Sequence, residues 1–132
     1  MLNPAAPPAV LGVLVHDADE RVRALLARKL AALAPCLTET EQLRLSQQVI
    51  EALRCLVGDT AVRVRAAIAA VLKDMPNAPR ELVLRLARDT QIEVSEPVIR
   101  LSPLLVEADL LSLLAASSAP LVALAVARRP PL

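Results

Sequence analysis

Two segments of this sequence repeat one pattern of charged and apolar residues, and the duplication limits the folds open to the chain. The segments run from Asp17 to Leu30 and from Asp59 to Leu72. Their matching parts are Asp17 with Asp59, Arg21-Val22-Arg23-Ala24 with Arg63-Val64-Arg65-Ala66, Leu26-Ala27 with Ile68-Ala69, and Leu30 with Leu72. Two copies of one helical unit in a chain of 132 residues indicate a helical repeat protein, in which stacked units bury a shared core.

The composition also favours helices that pack through aliphatic side chains. Hydrophobic residues make up 55% of the chain, yet it contains no Phe, Tyr or Trp and only 2 Gly. Leu and Ala are strong helix formers. Most of the 11 Pro residues fall between segments of apolar periodicity, where they end or begin helices. The composition therefore predicts an all-α fold of many short helices.

The apolar periodicity predicts one helical domain over residues 9–132, preceded by a flexible N-terminal arm at residues 1–8. About eight helices are expected, at residues 9–15, 20–34, 38–57, 59–74, 80–88, 93–101, 107–116 and from Pro120 onward. In the second of these helices the predicted buried stripe consists of Val22, Leu25, Leu26, Leu30 and Leu33. Gly58 is expected to end the third helix in the left-handed conformation that glycine adopts without strain.

A degenerate third copy of the repeated segment begins at Asp89. Val94 keeps its spacing in this copy, whereas Ser95 stands at the position of Arg65. Pro97 would interrupt a helix interior, but it is tolerated within the first turn, where backbone N–H groups have no partner in the helix. We therefore expect this helix to begin at Val94 or at the residue before it.

Helix pairs with an Asp before the second helix and a Val-Arg pair shortly after it resemble HEAT repeats. The resemblance implies a HEAT-like α-solenoid of about four antiparallel helix pairs. It also implies an Asp/Arg ladder between neighbouring repeats, here Asp17, Arg23, Asp59, Arg65 and Asp89. A carboxylate at a helix N-terminus is favoured by the helix dipole, and a nearby Arg can bind it with two hydrogen bonds. The third copy has no Arg to extend the ladder.

A narrower resemblance covers roughly the last 45 residues. The sequence from Asp89 to Leu105, followed by Ala108-Asp109-Leu110-Leu111 and then Ala125-Val126-Ala127-Arg128-Arg129, is similar to a bacterial family of unknown function, DUF2336. Members of that family share a "D…V…PVL…SP.L…DL" signature and a later "IA.R" segment, and they are usually longer than this chain. The family has no established activity, so the resemblance bears on the fold more than on the function.

The N-terminus lacks the basic region of a signal peptide. Leu110 to Ala127 carries no charge and meets the length of a transmembrane helix. However, Ser117-Ser118-Ala119-Pro120 interrupts this stretch with turn chemistry, and two amphipathic helices joined by a tight turn explain the same residues. We expect no membrane span and a location in a bacterial cytoplasm.

No motif indicates an enzyme. The sequence has no glycine-rich phosphate loop, no HExxH and no Cys/His cluster. Cys36 and Cys55 are expected to be buried thiols in a reducing compartment, and His16 is expected to cap a helix or face solvent. We therefore predict that the protein is not an enzyme, with no catalytic residues, no cofactors and no metal.

Two surfaces are candidates for binding. Arg21, Arg23, Arg63 and Arg65 occupy equivalent positions of the two copies, so in a stack they could form a ridge that contacts phosphates of a nucleic acid. The alternative is that these arginines pair with neighbouring carboxylates. A net charge of +1 and the missing aromatics favour the alternative, so nucleic-acid binding is the second hypothesis.

The C-terminal helix is the other candidate, because Leu121, Val122, Leu124, Val126 and the alanines between them make it apolar nearly all round. Such a helix is normally buried, and the terminal repeats of a solenoid need a polar outer face. We expect it to pack against a second copy, a partner protein or further chain. The resulting functional hypothesis is a non-enzymatic protein–protein interaction module, a scaffold or adaptor, whose protein partner and pathway are unidentified.

Overall fold

A computed structural model of the chain describes residues 15–16, 18–33, 43–117 and 120–130. In these residues it is all-α, with no strands. We number the helices in chain order as α1 Glu20–Leu33, α2 Leu43–Leu56, α3 Val62–Leu72, α4 Arg80–Ala87, α5 Ile92–Leu101, α6 Glu107–Ala116 and α7 Pro120–Ala127. The all-α fold expected from composition is confirmed.

The periodicity located each described helix closely. The sequence predicted the bounds of α6 and the first residues of α1, α4 and α7 as the structure has them, and the other described helix ends differ by no more than a few residues. The N-terminal arm at 1–8, most of the helix predicted at 9–15, and residues 38–42 of the next predicted region lie outside the described residues.

Helices that alternate in the chain pack against each other. The most extensive contact joins α1 to α3, and α3 contacts α5 in the same way, as α5 contacts α7. The intervening helices lie beside this row, because α2 contacts α1 and α3, α4 contacts α3 and α5, and α6 contacts α7. This arrangement brings equivalent positions of the duplicated segments next to each other, since α1 and α3 are the duplicated helices.

The core is aliphatic, as the composition requires. The largest side chains with less than 2% exposure lie on α2 to α5 and are Leu53, Leu56, Val64, Ile68, Leu72, Leu82, Val83, Leu86, Val94, Val98 and Ile99. Their spacing follows the helical period, so each of these helices presents one apolar side to its neighbours. Helices α3 and α5 are the enclosed members of the row, because each packs between two others.

The predicted buried stripe of α1 is wrong for three of its five members. Val22, Leu25 and Leu33 are 44–48% exposed. The helix instead buries a side rich in small residues, Ala24, Ala27, Leu30 and Ala31. The exposure of these residues depends on how many neighbouring helices α1 has and not on its own sequence pattern. Val64, the equivalent of Val22, is fully buried on a helix with a neighbour on each side, whereas α1 has only α3 beside it among the described helices of the row.

The predicted conformation of Gly58 is also wrong, because no described glycine has a positive φ. The backbone leaves α2 through tight turns instead, with the Gly58 N–H donating to the Cys55 carbonyl at 3.1 Å and the Asp59 N–H donating to the Leu56 carbonyl at 3.1 Å. The absent side chain leaves room for a neighbour, since a Cβ at this position would collide with the Arg85 guanidinium.

Helix α5 begins earlier than its proline suggested. The expected start was at Val94 or one residue before, but the helix begins at Ile92 and places Pro97 past the first turn. The N–H groups of Val94 and Ser95 both donate to the Gln91 carbonyl, at 3.0 and 3.1 Å. The helix nevertheless continues to Leu101, so packing of its apolar side outweighs the hydrogen bond that proline cannot donate.

The uncharged C-terminal stretch is divided between α6 and α7, which contact each other. None of the described helices has the length and apolarity needed to cross a membrane. Helix α6 ends at Ala116 and α7 begins at Pro120, so the stretch forms two helices, as expected, rather than one.

We predict that core and surface leucines differ sharply in their contribution to stability. Leu72→Ala removes a fully buried side chain from α3 and should lower the free energy of unfolding by about 2–5 kcal/mol. Leu25→Ala makes the same chemical change at a position that is 48% exposed and should change it by less than about 1 kcal/mol. Urea unfolding followed by circular dichroism measures both, and equal losses would contradict the assignment of the core.

Candidate interaction surfaces

An arginine of α1 is tied to the segment that begins the next copy of the repeat. Arg23 Nε donates to Asp59 Oδ2 at 2.9 Å, and its Nη2 donates to Asp59 Oδ1 at 3.1 Å. The remaining Nη1 donates to the Ala18 carbonyl at 2.7 Å. The side chains are only 17% and 9% exposed. We call such an Arg–Asp pair, with two hydrogen bonds between repeats, a rung.

A second rung has the same geometry one repeat later. Arg65 Nε donates to Asp89 Oδ2 at 2.7 Å, and Nη2 donates to Oδ1 at 3.2 Å. Its Nη1 donates to the Asp59 carbonyl at 2.7 Å, as that of Arg23 donates to the loop before its own helix. The duplicated spacing therefore produces a duplicated set of contacts, and the second rung is as enclosed as the first, at 13% and 9% exposure.

Each rung carboxylate also organises the start of its own helix. Asp59 Oδ1 accepts the Ala61 N–H at 2.9 Å, and Asp89 Oδ1 accepts the Gln91 N–H at 2.9 Å. A carboxylate at this position satisfies a backbone donor that the helix leaves free and is favoured by the helix dipole. One aspartate thus fixes where a helix begins and which arginine it receives from the preceding repeat.

The balance of these contacts keeps Asp59 ionised. Burial raises the pKa of the Asp59 carboxyl, but the hydrogen bonds from Arg23 and the Ala61 N–H, together with the charges of Arg23 and Arg65, outweigh it and hold the pKa below its ordinary value. The hydrogen bond to the carboxylate in turn raises the pKa of Arg23. Both partners therefore stay charged at neutral pH.

The rungs stop where the sequence departs from the repeat. Ser95, at the position of Arg65, is buried, and its hydroxyl donates to the Gln91 carbonyl within its own helix. It cannot reach a following repeat as a guanidinium would. Asp17, predicted as the first member of the ladder, lies outside the described residues.

Ion pairs also connect α2, α4 and α6. Arg54 Nη2 on α2 contacts Glu81 Oε1 on α4 at 2.7 Å. Arg80 at the start of α4 binds Asp109 on α6 with two hydrogen bonds, of 2.9 and 3.0 Å. In these pairs and in both rungs, the arginine comes from the earlier helix in the chain and the carboxylate from the later segment. The ion pairs between helices of the described residues therefore all have one direction.

Asp109 combines the same two functions as the rung aspartates. It accepts hydrogen bonds from Arg80 and from the Val106 N–H at the start of α6. The hydrogen bonds from Arg80 and then from the Val106 N–H lower the pKa of the Asp109 carboxyl. The sequence analysis missed this pair. The available signal was an acid at the third position of a helix, which marks a helix start but not its partner 29 residues away.

The structure divides the four arginines of the predicted ridge. Arg23 and Arg65 are held in the rungs, whereas Arg21 and Arg63 are exposed. On α5 the equivalent position is Glu93, which is also exposed. A line of equivalent side chains across α1, α3 and α5 therefore changes sign, and the surface it follows is not uniformly basic.

A shallow depression of about 360 Å³ lies beside the first rung. It is lined by Val15, His16, Arg23, Cys55, Gly58, Asp59 and Thr60. Cys55 is exposed, so its prediction as a buried thiol is wrong; it lies on the side of α2 away from the buried Leu53 and Leu56. Cys36 lies outside the described residues. His16 is exposed, and the structure gives no hydrogen bond between it and Cys55, both of which are described.

The end of the row formed by α6 and α7 is incompletely covered. Each of these helices has one buried apolar residue, Leu113 on α6 and Ala125 on α7. Of the predicted face of α7, Val122 and Val126 are half-buried against the core, whereas Leu121 and Leu124 are exposed. We define the C-terminal apolar surface as the large aliphatic side chains exposed by 37–58% in this region, Val106, Leu111, Leu114, Leu121 and Leu124.

Arg129 fixes the end of α7 to the end of α5. Its Nη1 donates to the Ile99 carbonyl at 2.6 Å, and Nη2 donates to the Ser102 carbonyl at 2.9 Å. A guanidinium is well suited to the carbonyl groups that a helix C-terminus leaves free. The sequence analysis assigned no such role to this residue, because its two acceptors are backbone atoms, which no side-chain pattern reveals.

Comparisons of the chain with protein-family models, curated proteins and solved structures gave no match.

We predict that the two arginines of α3 differ in their contribution to stability. Arg65→Gln breaks the second rung and should lower the melting temperature by several degrees, since it leaves the part-buried Asp89 without its cationic partner. Arg63→Gln makes the same change at an exposed position two residues away and should leave the melting temperature nearly unchanged. Thermal denaturation at neutral pH compares them, and equal melting temperatures would contradict a stabilising rung.

We predict that acid weakens the fold through Asp59. Because the pKa of Asp59 is lower in the folded state, its contribution is complete above the pKa of the unfolded chain, about 4, and is lost as the pH falls through the folded value. Asp59→Asn should cost about 1–3 kcal/mol at pH 7, and the difference from the unmodified protein should shrink below about pH 4.

Urea unfolding from pH 7 to pH 3 measures this difference, with Asp74→Asn at an exposed position as the control. A difference between Asp59→Asn and the unmodified protein that does not change with pH would contradict the proposed ionisation.

Proposed function

We propose that the protein is a HEAT-like helical repeat that acts as a non-enzymatic protein–protein interaction module, a scaffold or adaptor in the bacterial cytoplasm. The single observation that carries this proposal is the C-terminal apolar surface on a stack of short helices. Exposed apolar areas of this kind mark interaction sites in soluble proteins.

The HEAT-like solenoid of antiparallel helix pairs is supported by the order of the helix contacts and by the rungs. Helix α1 contacts α3, α3 contacts α5, and α5 contacts α7, while α2, α4 and α6 lie beside this row. These contacts fit successive helix pairs stacked along one axis. Arg23–Asp59 and Arg65–Asp89 are the Asp/Arg contacts that the resemblance to HEAT repeats implied. Short connections between consecutive helices favour antiparallel pairs.

We also propose membership of DUF2336, which rests on the resemblance of the C-terminal segment to the signature of that family. The residues that match this signature include Asp89, Ser102, Asp109 and Arg129. Asp89 and Asp109 accept inter-helix arginines, the Ser102 hydroxyl accepts the Leu104 N–H at 3.2 Å, and Arg129 binds carbonyl groups. The signature thus consists of residues that connect helices, which is compatible with a family defined by its fold.

Binding to the phosphate backbone of a nucleic acid through the arginine ridge is the second hypothesis, and the contacts of the arginines weigh against it. Two of the four ridge residues are engaged by carboxylates, and the line continues to Glu93. Phosphate binding needs cationic groups that are free to replace counterions. Only Arg21 and Arg63 meet that requirement within the ridge.

We predict that the tagged full-length protein captures a protein from a lysate of the source cells and that nuclease treatment does not release it. Leu111→Asp/Leu121→Asp should abolish capture, because charge on the C-terminal apolar surface opposes its burial. Arg21→Glu/Arg63→Glu should leave capture unchanged. Capture is read by quantitative mass spectrometry of the bound fraction.

Leu25→Asp is the matched control, since Leu25 is exposed to a similar degree but lies on α1. Circular dichroism and melting temperature confirm that each variant is folded. Binding that disappears with nuclease and in the arginine variant, but survives in the leucine variant, would contradict the proposal and favour nucleic acid.

A further inference from the structure

We propose that the C-terminal apolar surface is covered by the same surface of a second copy of this chain, in a two-fold symmetric dimer. This inference rests on the proposed function and names the occupant of the surface.

The side chains of this surface are those of an obligate interface between identical chains. Val106, Leu111, Leu114, Leu121 and Leu124 are all aliphatic, and α7 contains no polar residue. Interfaces between copies of one chain are more apolar than transient interfaces and resemble a domain core. The composition therefore favours a second copy.

The small number of buried residues on α6 and α7 also favours a second copy of the chain. These helices bury one apolar residue each, whereas α4 and α5 bury four residues each. The exposed aliphatic side of these two helices needs a further apolar layer. A second α6–α7 pair supplies a layer of the same size and chemistry, as in bundles in which helices pack around a shared aliphatic core.

Two exposed charges border the surface and have opposite signs. Glu107 is the first residue of α6 and precedes Leu111 by one helical turn, and Arg128 follows α7 one turn after Leu124. The adjacent Arg129 binds the Ser102 carbonyl at 2.9 Å, which places the end of α7 near the connection that leads into α6. Glu107 and Arg128 therefore lie toward the same end of the helix pair.

A two-fold axis along the helices brings equal ends of the two copies together. Glu107 of one copy then lies toward Arg128 of the other, and the symmetry creates this pair twice. The five side chains that define the surface are aliphatic, so they add no charge opposite Glu107 or Arg128. The geometry thus predicts both the identity of the partner and the orientation of the two copies.

Sedimentation equilibrium of the full chain tests the dimer directly. The expected mass is twice the 14.1 kDa of the chain. Leu111→Asp/Leu121→Asp should raise the dissociation constant by roughly thirtyfold or more, whereas Leu25→Asp should leave it unchanged. A monomer throughout the accessible concentration range, or a dimer that tolerates the two aspartates, would overturn the proposal.

Charge exchange tests the orientation. Glu107→Arg alone and Arg128→Glu alone should each weaken self-association by about tenfold at low salt, because each symmetric dimer then contains two like-charged pairs. An equimolar mixture of the two variants should recover it, since the mixed dimer has an opposite charge at both contacts. Failure of the mixture to associate more tightly than either variant would overturn the two-fold orientation.

The outcomes also separate this inference from the function on which it rests. A chain that remains monomeric but captures a different protein, with capture lost in Leu111→Asp/Leu121→Asp, overturns the dimer and keeps the interaction module. A chain that dimerises through this surface, while its lysate capture depends on Arg21 and Arg63 and on nucleic acid, supports the dimer and overturns the proposed function.

Discussion

The described fold depends on an ion pair that acts at two levels at once. In each rung, an aspartate accepts the N–H of the residue immediately before its own helix and receives a guanidinium from the preceding repeat with two hydrogen bonds. Local helix initiation and the position of neighbouring repeats are therefore set by the same carboxylate. An aliphatic core is non-directional, so the rungs supply the register that packing of Leu, Val and Ala alone leaves poorly defined.

The sequence predicted the helices well because their signals are local. Apolar spacing, prolines and acids at helix starts determined the bounds of α6 and the starts of α1, α4 and α7. Exposure was predicted less well because it depends on neighbours. Val22 and Val64 have the same position in their copies, yet one is 44% exposed and the other fully buried. A periodic pattern identifies the side of a helix that can be buried, but only the arrangement of helices decides whether something covers it.

For the candidate surfaces too, the sequence indicated individual residues better than their contact partners. The duplicated Asp and Arg positions pointed to Arg23, Asp59, Arg65 and Asp89, which the structure brings together in pairs. It could not be read from the sequence that Asp109 would receive Arg80, or that Arg129 would bind two carbonyl groups, because those partners are distant in the chain or belong to the backbone. The C-terminal apolar surface was indicated by α7 alone, and α6 and Val106 were added by the three-dimensional arrangement.

The direction shared by the inter-repeat ion pairs has a consequence for how such a chain can grow. Each internal unit presents a guanidinium toward the unit that follows and a carboxylate toward the unit that precedes. A tandem duplication of one unit would therefore meet complementary charges at both of its new junctions without a compensating substitution. A reversed or shuffled contact would instead bring equal charges together. The polarity of the pairs makes elongation by gene duplication compatible with the fold, and the replacement of arginine by Ser95 marks where the rungs stop.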